Sequence, residues 1–229
     1  MIRQTKHGFW VIDEDTHFTV WTEESGRLDH DQYVLNMMKP HIGNGSAIDI
    51  GANIGTHTIA YANILGVENV IAIEPNIECV ECLKKNIPGI FVIEAAVSDI
   101  NGEGKLCLLK NVGASYMYEG SGIKTIKLDD YESLLSSNVK NKKFTFLKMD
   151  VEGYEVKALR GSKNFIKKYK PKMWIEVNLH TLQRNNFTED DLLNEIKELG
   201  YRIIAASRLE AAISYPEKGI QYDVLCIPN

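Results

Sequence analysis

The sequence has little of what marks several large protein classes. It holds four cysteines, Cys79, Cys82, Cys107 and Cys226, in 229 residues. These are too few and too scattered to staple a fold, so they read as reduced thiols. No stretch approaches about 18 uncharged apolar residues, and residues 1–10 carry charged and polar side chains where a signal peptide would have an apolar run. The expectation is a cytoplasmic protein with no integral membrane segment. An excess of basic charge is also missing. Lysine plus arginine number 26 against 31 aspartate plus glutamate, a net charge of -5, which leaves no broad positive field to attract a polyanion. No nucleic-acid partner is expected. Internal repeats, low-complexity tracts and proline-rich linkers are absent from the sequence.

What is present is the composition of a globular chain, 44% hydrophobic and 25% charged, long enough to bury a core. Its middle repeats one theme, a short apolar run followed by a helical pattern. The runs fall at 46–50, 69–74, 91–96, 144–149 and 172–177, and the helical patterns at 56–65, 77–86, 130–136, 155–166 and 189–199. That alternation predicts a parallel α/β sheet with helices on both faces. Apolar and polar residues alternate over 8–21 around Asp13-Glu14-Asp15, which predicts an N-terminal hairpin, with a helix over 29–39. Two short runs at 105–110 and 123–128 suggest an inserted hairpin, and 220–227 an antiparallel edge strand. The chain divides into an extension over 1–40 and one domain over 41–229.

The strongest local signal is AIDIGANIGTHT, residues 47–58, in which an apolar strand ends in Asp49, bends through Gly51-Ala52-Asn53-Ile54-Gly55 and enters a helix. Two glycines permit a tight bend and close approach to a ligand, and a helix start offers unpaired amides. Glu74 ends the next strand, 23 residues after Gly51, where a carboxylate can accept hydrogen bonds from both hydroxyls of a ribose. A dinucleotide fingerprint wants G-x-G-x-x-G, but Asn53 and Thr56 stand at its second and third glycine positions. S-adenosylmethionine (SAM), which has a ribose and adenine but no phosphate, suits this looser turn.

These residues, with AIEPN (72–76), AVSDINGEG (96–104), KLDDY (127–131), FLKMDVEGYEVKALRG (146–161) and IEVN (175–178) in this order, resemble the FkbM-type SAM-dependent methyltransferases. The likeness covers residues 45–178. It implies a class I methyltransferase fold, a Rossmann-like seven-stranded sheet with the last strand antiparallel, and O-methylation of a saccharide, glycan or glycosylated natural product. A SAM-binding module without catalysis is the alternative. By resemblance, Asp49, Gly51 and Asn53, with Ala52 beside them, line the methionine part of SAM. Glu74 and Pro75 lie at the ribose, Ser98 with Asp99 at the adenine, and Asp150 faces the methyl group, with Glu152 functional beside it.

A hydroxyl acceptor must lose a proton. Three readings compete: His180 as base just past the fifth strand, Asp150 and Glu152 as proton acceptors, or Asp150, Glu176 and Asn178 as oxygen ligands for magnesium. The motifs do not establish a metal. Cys79 and Cys82, one helical turn apart with no second pair, read as packing neighbours rather than a zinc site. The lysines over 163–172 read as a solvated face. Trp10, Trp21, Tyr33, Tyr116 and Tyr118 either stack on a sugar ring or fill a small core, with loops at 179–188 and 207–221 as pocket walls.

Overall fold

The computed structural model describes residues 1–29, 32–205 and 221–229. Among the described residues are the strands β1 (Ile2–Gln4), β2 (Trp10–Ile12), β3 (Ser46–Ile50), β4 (Val70–Ile73), β5 (Phe91–Ile93), β6 (Ala96–Val97), β7 (Gly102–Cys107), β8 (Tyr116–Ile126), β9 (Phe144–Met149), β10 (Lys172–Asn178), β11 (Tyr201–Ala205) and β12 (Gln221–Pro228). The helices are α1 (Phe18–Ser25), α2 (Gln32–Met38), α3 (Thr58–Leu65), α4 (Ile77–Asn86), α5 (Glu132–Ser137), α6 (Glu155–Arg160), α7 (Lys163–Tyr169), α8 (Leu179–Arg184) and α9 (Glu189–Glu198).

Seven strands form the central sheet in the order β11-β12-β10-β9-β3-β4-β5. Successive side chains of a strand point to opposite faces. Thus Ile48 and Ile50 of β3 join Ile71, Ile73, Leu147 and Met149 in one core under α6, α7 and α9, while Ala47 joins Phe146, Trp174 and Leu225 in a second core under α2, α3 and α4. Both faces are covered, which is why the parallel strands are buried along nearly their whole length. The chain builds outward from β3 to β4 and β5, then returns to place β9 on the other side of β3. Order reverses there, and the carboxyl ends of β3 and β9 diverge into a crevice.

The expected sheet is present, with four differences. The last strand is antiparallel but not at the edge, because β12 lies between β10 and β11 and pairs antiparallel with both. The helical pattern over 155–166 is two helices. Gly161 sits against the Ser98 carbonyl, where an added Cβ would come within 1.8 Å of the oxygen, and the chain breaks there into α6 and α7. The strand β11 and the helix α8 were not expected. Finally, the N-terminal hairpin pairs β1 with β2, Ile2 opposite Ile12, not the two arms of residues 8–21. Asp15 does not turn a hairpin. It is buried, accepts the Thr19 N–H at 2.8 Å at the start of α1, and accepts the Val112 N–H at 3.0 Å from the inserted segment. Trp21 is therefore helical.

The hairpin is joined to the sheet by Asn86, whose side chain accepts from the Trp10 N–H at 2.7 Å and donates to the Trp10 carbonyl at 2.9 Å and the Ile54 carbonyl at 3.0 Å. Val11, Ile12, Leu28 and Ile54 pack there on Cys79 and Cys82, and all four cysteines are free thiols. The inserted hairpin, β7 with β8, adds β6 to make a three-stranded sheet. Among the described residues no helix is long and apolar enough to cross a membrane.

At Gly161 the obstacle to a side chain is backbone and cannot rotate away. Gly161→Ala should destabilise the protein by about 2–3 kcal/mol, the upper part of the range for overpacking, read as a lower midpoint in urea with an unchanged slope. A loss under about 0.5 kcal/mol would show that the close approach is unimportant.

Candidate functional site

The site grows from the bend after β3. Gly51 has φ +81°, and a Cβ on it would lie 1.8 Å from the Asp150 carbonyl oxygen, so only glycine lets the bend pass the end of β9. Its N–H donates to the Ile73 carbonyl at 2.9 Å. One step on, the Asn53 N–H donates to Glu74 Oε2 and the Asn76 N–H to Glu74 Oε1, both at 2.9 Å. One carboxylate thus fastens the loops after β3 and β4 together. Burial pushes the Glu74 carboxyl up to about 7 even though these two backbone donors favour its charged form.

Charge is concentrated at the end of β9. Lys148 stands directly across the sheet from Asp49, its ammonium 3.6 Å from Asp49 Oδ1 and 3.2 Å from Asp150 Oδ2. Burial opposes that charge, but Asp150 and Asp49 outweigh it and hold the lysine protonated. Asp49 is fully buried and accepts the Thr58 hydroxyl at 2.7 Å. Glu152 follows with φ +53°, in a turn clamped by Glu155, whose Oε1 accepts the N–H groups of Val151 and Gly153 at 3.0 and 3.3 Å. Burial pushes Glu155 up to about 7. Glu176 on β10 completes the group, and carboxylate oxygens of Asp150, Glu152 and Glu176 all lie within 4.8 Å of one another. Burial first and Asp150 second raise Glu152 to about 8 and drive Glu176 well above the ordinary range.

Two spaces meet at these carboxylates. A cleft of about 1220 Å³, counted to its open mouth, is lined by Gly51, Asn53, Glu74, Pro75 and Asp150, with apolar walls from Ala96, Val97 and Met117. A neighbouring groove of about 1100 Å³ is lined by Asn178, His180, Thr181 and Arg184. Asp150, Glu152 and Glu176 face both. Of the residues singled out in the sequence, Gly51, Asn53, Glu74, Pro75, Asp150 and Glu152 come together in the cleft, and His180 lies exposed across the groove.

Asp49, Ala52 and Ser98 do not line the cleft. Asp49 sits behind its floor, Ala52 packs into the core against the second sheet face, and Ser98 is fully buried with its hydroxyl donating to Asp99 and toward the Tyr154 hydroxyl. Asn178 Oδ1 caps α8, accepting the N–H groups of His180 and Thr181 at 3.2 and 3.4 Å. Of the five aromatic residues considered as stacking platforms none lines either space. Trp10 is covered by the Lys85 ammonium, and Tyr116 by the Arg184 guanidinium. The wall expected over 207–221 falls outside the described residues except for Gln221, which lines both spaces. Sequence reasoning missed Lys148, whose signal was a lone charge inside the apolar run Phe144–Met149, and the cleft walls Phe18, Val34 and Met38 from the N-terminal segment.

The raised carboxyls have a stability consequence. Glu74 and Glu155 hold protons in the folded state up to about pH 7, whereas unfolded they release them near 4.5. The folded state therefore binds more protons between these values, and stability falls as pH rises through that window, a fall that Glu152, raised to about 8, carries further. His41, lowered by burial, works in the opposite sense as a single group. Without ligand, the melting temperature should fall by several degrees from pH 5 to pH 8, and Glu74→Gln should flatten the fall. A melting temperature that climbs over this interval would contradict it.

Sequence and structure comparisons agree with this architecture. Residues 49–203 match the methyltransferase FkbM domain. A search of curated proteins found no match. Among solved structures, the methyltransferase FkbM from Methylobacillus flagellatus KT is 19% identical, with 80% of this chain aligned to 43% of that one and a TM-score of 0.49. The aligned part thus spans less than half the length of that protein. A fibrillarin/Nop5p complex aligns at 13% identity over 88% of this chain and 83% of the other, TM-score 0.52. The geranyl diphosphate C-methyltransferase of Streptomyces coelicolor A3(2) aligns at 9% identity over 85% and 78%, TM-score 0.50. The last two of these distant structures share the fold. With two-thirds of its length in the family match and the seven-stranded sheet around it, the chain belongs to the FkbM methyltransferase family, whose cofactor is S-adenosylmethionine.

Proposed function

We propose that the protein is an O-methyltransferase that moves the methyl group of SAM onto a hydroxyl of a saccharide or glycosylated natural product. The observation that carries this reading is the meeting of the cleft and the groove at Asp150, Glu152 and Glu176. The cleft fits the cofactor by its donor set. Glu74, with both oxygens already held by backbone amides, keeps lone pairs for a ribose diol, and Ala96, Val97 and Met117 offer an apolar slot for a base. When bound, SAM supplies an electrophilic sulfonium methyl.

The chain's own residues then have two tasks. They must hold an acceptor oxygen in line at about 3 Å, and they must take its proton. The groove suits a hydroxyl-rich acceptor, since Asn178, His180, Arg184 and Gln221 supply polar groups along it. Its carboxylates disfavour phosphate, in keeping with a partner that is not a nucleic acid. Asp150, Glu152 and His180 all line the groove, and the proton goes to His180 or to one of the two carboxylates. Four free thiols suit a cytoplasmic setting.

Tritiated SAM incubated with a panel of saccharide acceptors should give a labelled product. Tight SAM binding with no transfer to any acceptor would favour a binding module without catalysis. Glu74→Ala should raise the SAM dissociation constant about tenfold to a hundredfold by removing charge-assisted contacts, and an unchanged value in calorimetry would refute its role. His180→Ala should slow turnover about a hundredfold, the usual scale for a lost base, without altering SAM affinity. Full activity in that variant would leave the proton to Asp150 or Glu152.

A further inference from the structure

Glu176 is buried to 93% of its surface, being 7% exposed, yet only one of its oxygens is used. Gln221 Nε2 donates to Oε1 at 2.5 Å, while Oε2 has no hydrogen-bond partner among the described residues. Glu176 faces both the cleft and the groove. The groups that surround it are carboxylates, Asp150, Glu152, Glu155 and Asp223. The Lys148 ammonium is engaged with Asp150 and Asp49. A buried polar oxygen without a partner is costly, and the opening beside it is lined by two further carboxyl groups.

We propose that Asp150, Glu152 and Glu176 bind one hard divalent cation at the junction of the cleft and the groove. The spacing suits such an ion. Oxygens on opposite sides of Mg²⁺ stand about 4.2 Å apart, and around Ca²⁺ about 4.6–5.2 Å. The three carboxylates bring oxygens within 4.8 Å of one another, the span that one such ion and its oxygen ligands occupy. All-oxygen ligation selects Mg²⁺, Mn²⁺ or Ca²⁺ over softer metals. The ligand set differs from the Asp150, Glu176 and Asn178 set suggested by the strand ends, because Asn178 Oδ1 is spent on the first turn of α8, and Glu152 takes its place. If the methyltransferase reading of the groove holds, an ion here would orient and acidify the acceptor hydroxyl and leave His180 to receive the proton. The binding site itself does not depend on that reading.

The probe is Mn²⁺, followed by loss of the free-ion signal in electron paramagnetic resonance on the full chain without SAM. The wild type should take up one Mn²⁺ per chain, displaceable by Mg²⁺. Asp150→Asn and Glu176→Gln, each shown folded by circular dichroism, should weaken it about tenfold or more, and Glu119→Gln on the inserted hairpin should not. Wild-type protein that leaves all Mn²⁺ free up to about 1 mM, the weak end of carboxylate sites, would overturn the proposal even if a variant fails to fold. So would affinity unchanged in both variants. SAM calorimetry on the same sample separates the two readings: SAM bound with Mn²⁺ free defeats the ion site alone, and Mn²⁺ bound with SAM free supports the ion site while defeating the cofactor cleft.

Discussion

Among the described residues one buried ammonium, Lys148, stands among the carboxylates at the carboxyl ends of β3, β9 and β10, and the rest of the site is arranged around that imbalance. Lys148 neutralises Asp49 on one side and Asp150 on the other, but Glu152 and Glu176 lie beyond its reach as ion-pair partners. Charges taken out of water are tolerated only where partners replace it, so burial holds protons on Glu152 and Glu176, and both face the two open spaces. The sheet register produces this crowding. Asp49 is directly opposite Lys148, and Met149 directly opposite Ile175, so Asp150 and Glu176 follow one another at adjacent strand ends.

Backbone geometry fixes the same region from the other side. Glu74 holds the loop after β3 to the loop after β4 through two amides, and Gly51 lets the first of those loops pass against the Asp150 carbonyl. A change at any of these points displaces a shared wall, which couples the Glu74 side of the cleft to the carboxylates. The turn carrying Glu152 is held in its left-handed conformation by Glu155, so a side chain that touches neither space still orients one that touches both.

Distant segments finish the enclosure. Asp15 ties α1 to the inserted hairpin through Val112, and Asn86 ties the N-terminal hairpin to the turn after β3. Through these bonds Phe18 and Met38, from the first forty residues, and Met117, from β8, reach the cleft. Side chain to backbone bonds of this kind leave no periodic trace, which is why the hairpin was expected around Asp13-Glu14-Asp15 when Asp15 in fact starts a helix.

The alternation of apolar runs and helical patterns, the Gly51 to Gly55 bend and Glu74 at the next strand end were legible in the sequence, because each depends on residues close in the chain. Backbone freedom at glycine, strand periodicity and a carboxylate at a strand terminus are local properties. Tertiary structure alone decided the rest: that Asp49 lies behind the floor against Lys148, that Ser98 is buried away from the cleft, that Asn178 is consumed in capping α8, that β12 is interior, and that Glu176 meets Asp150 and Glu152. These outcomes follow from strand order and register, which bring together residues far apart in the chain, and no spacing along the sequence encodes which oxygen is left without a partner.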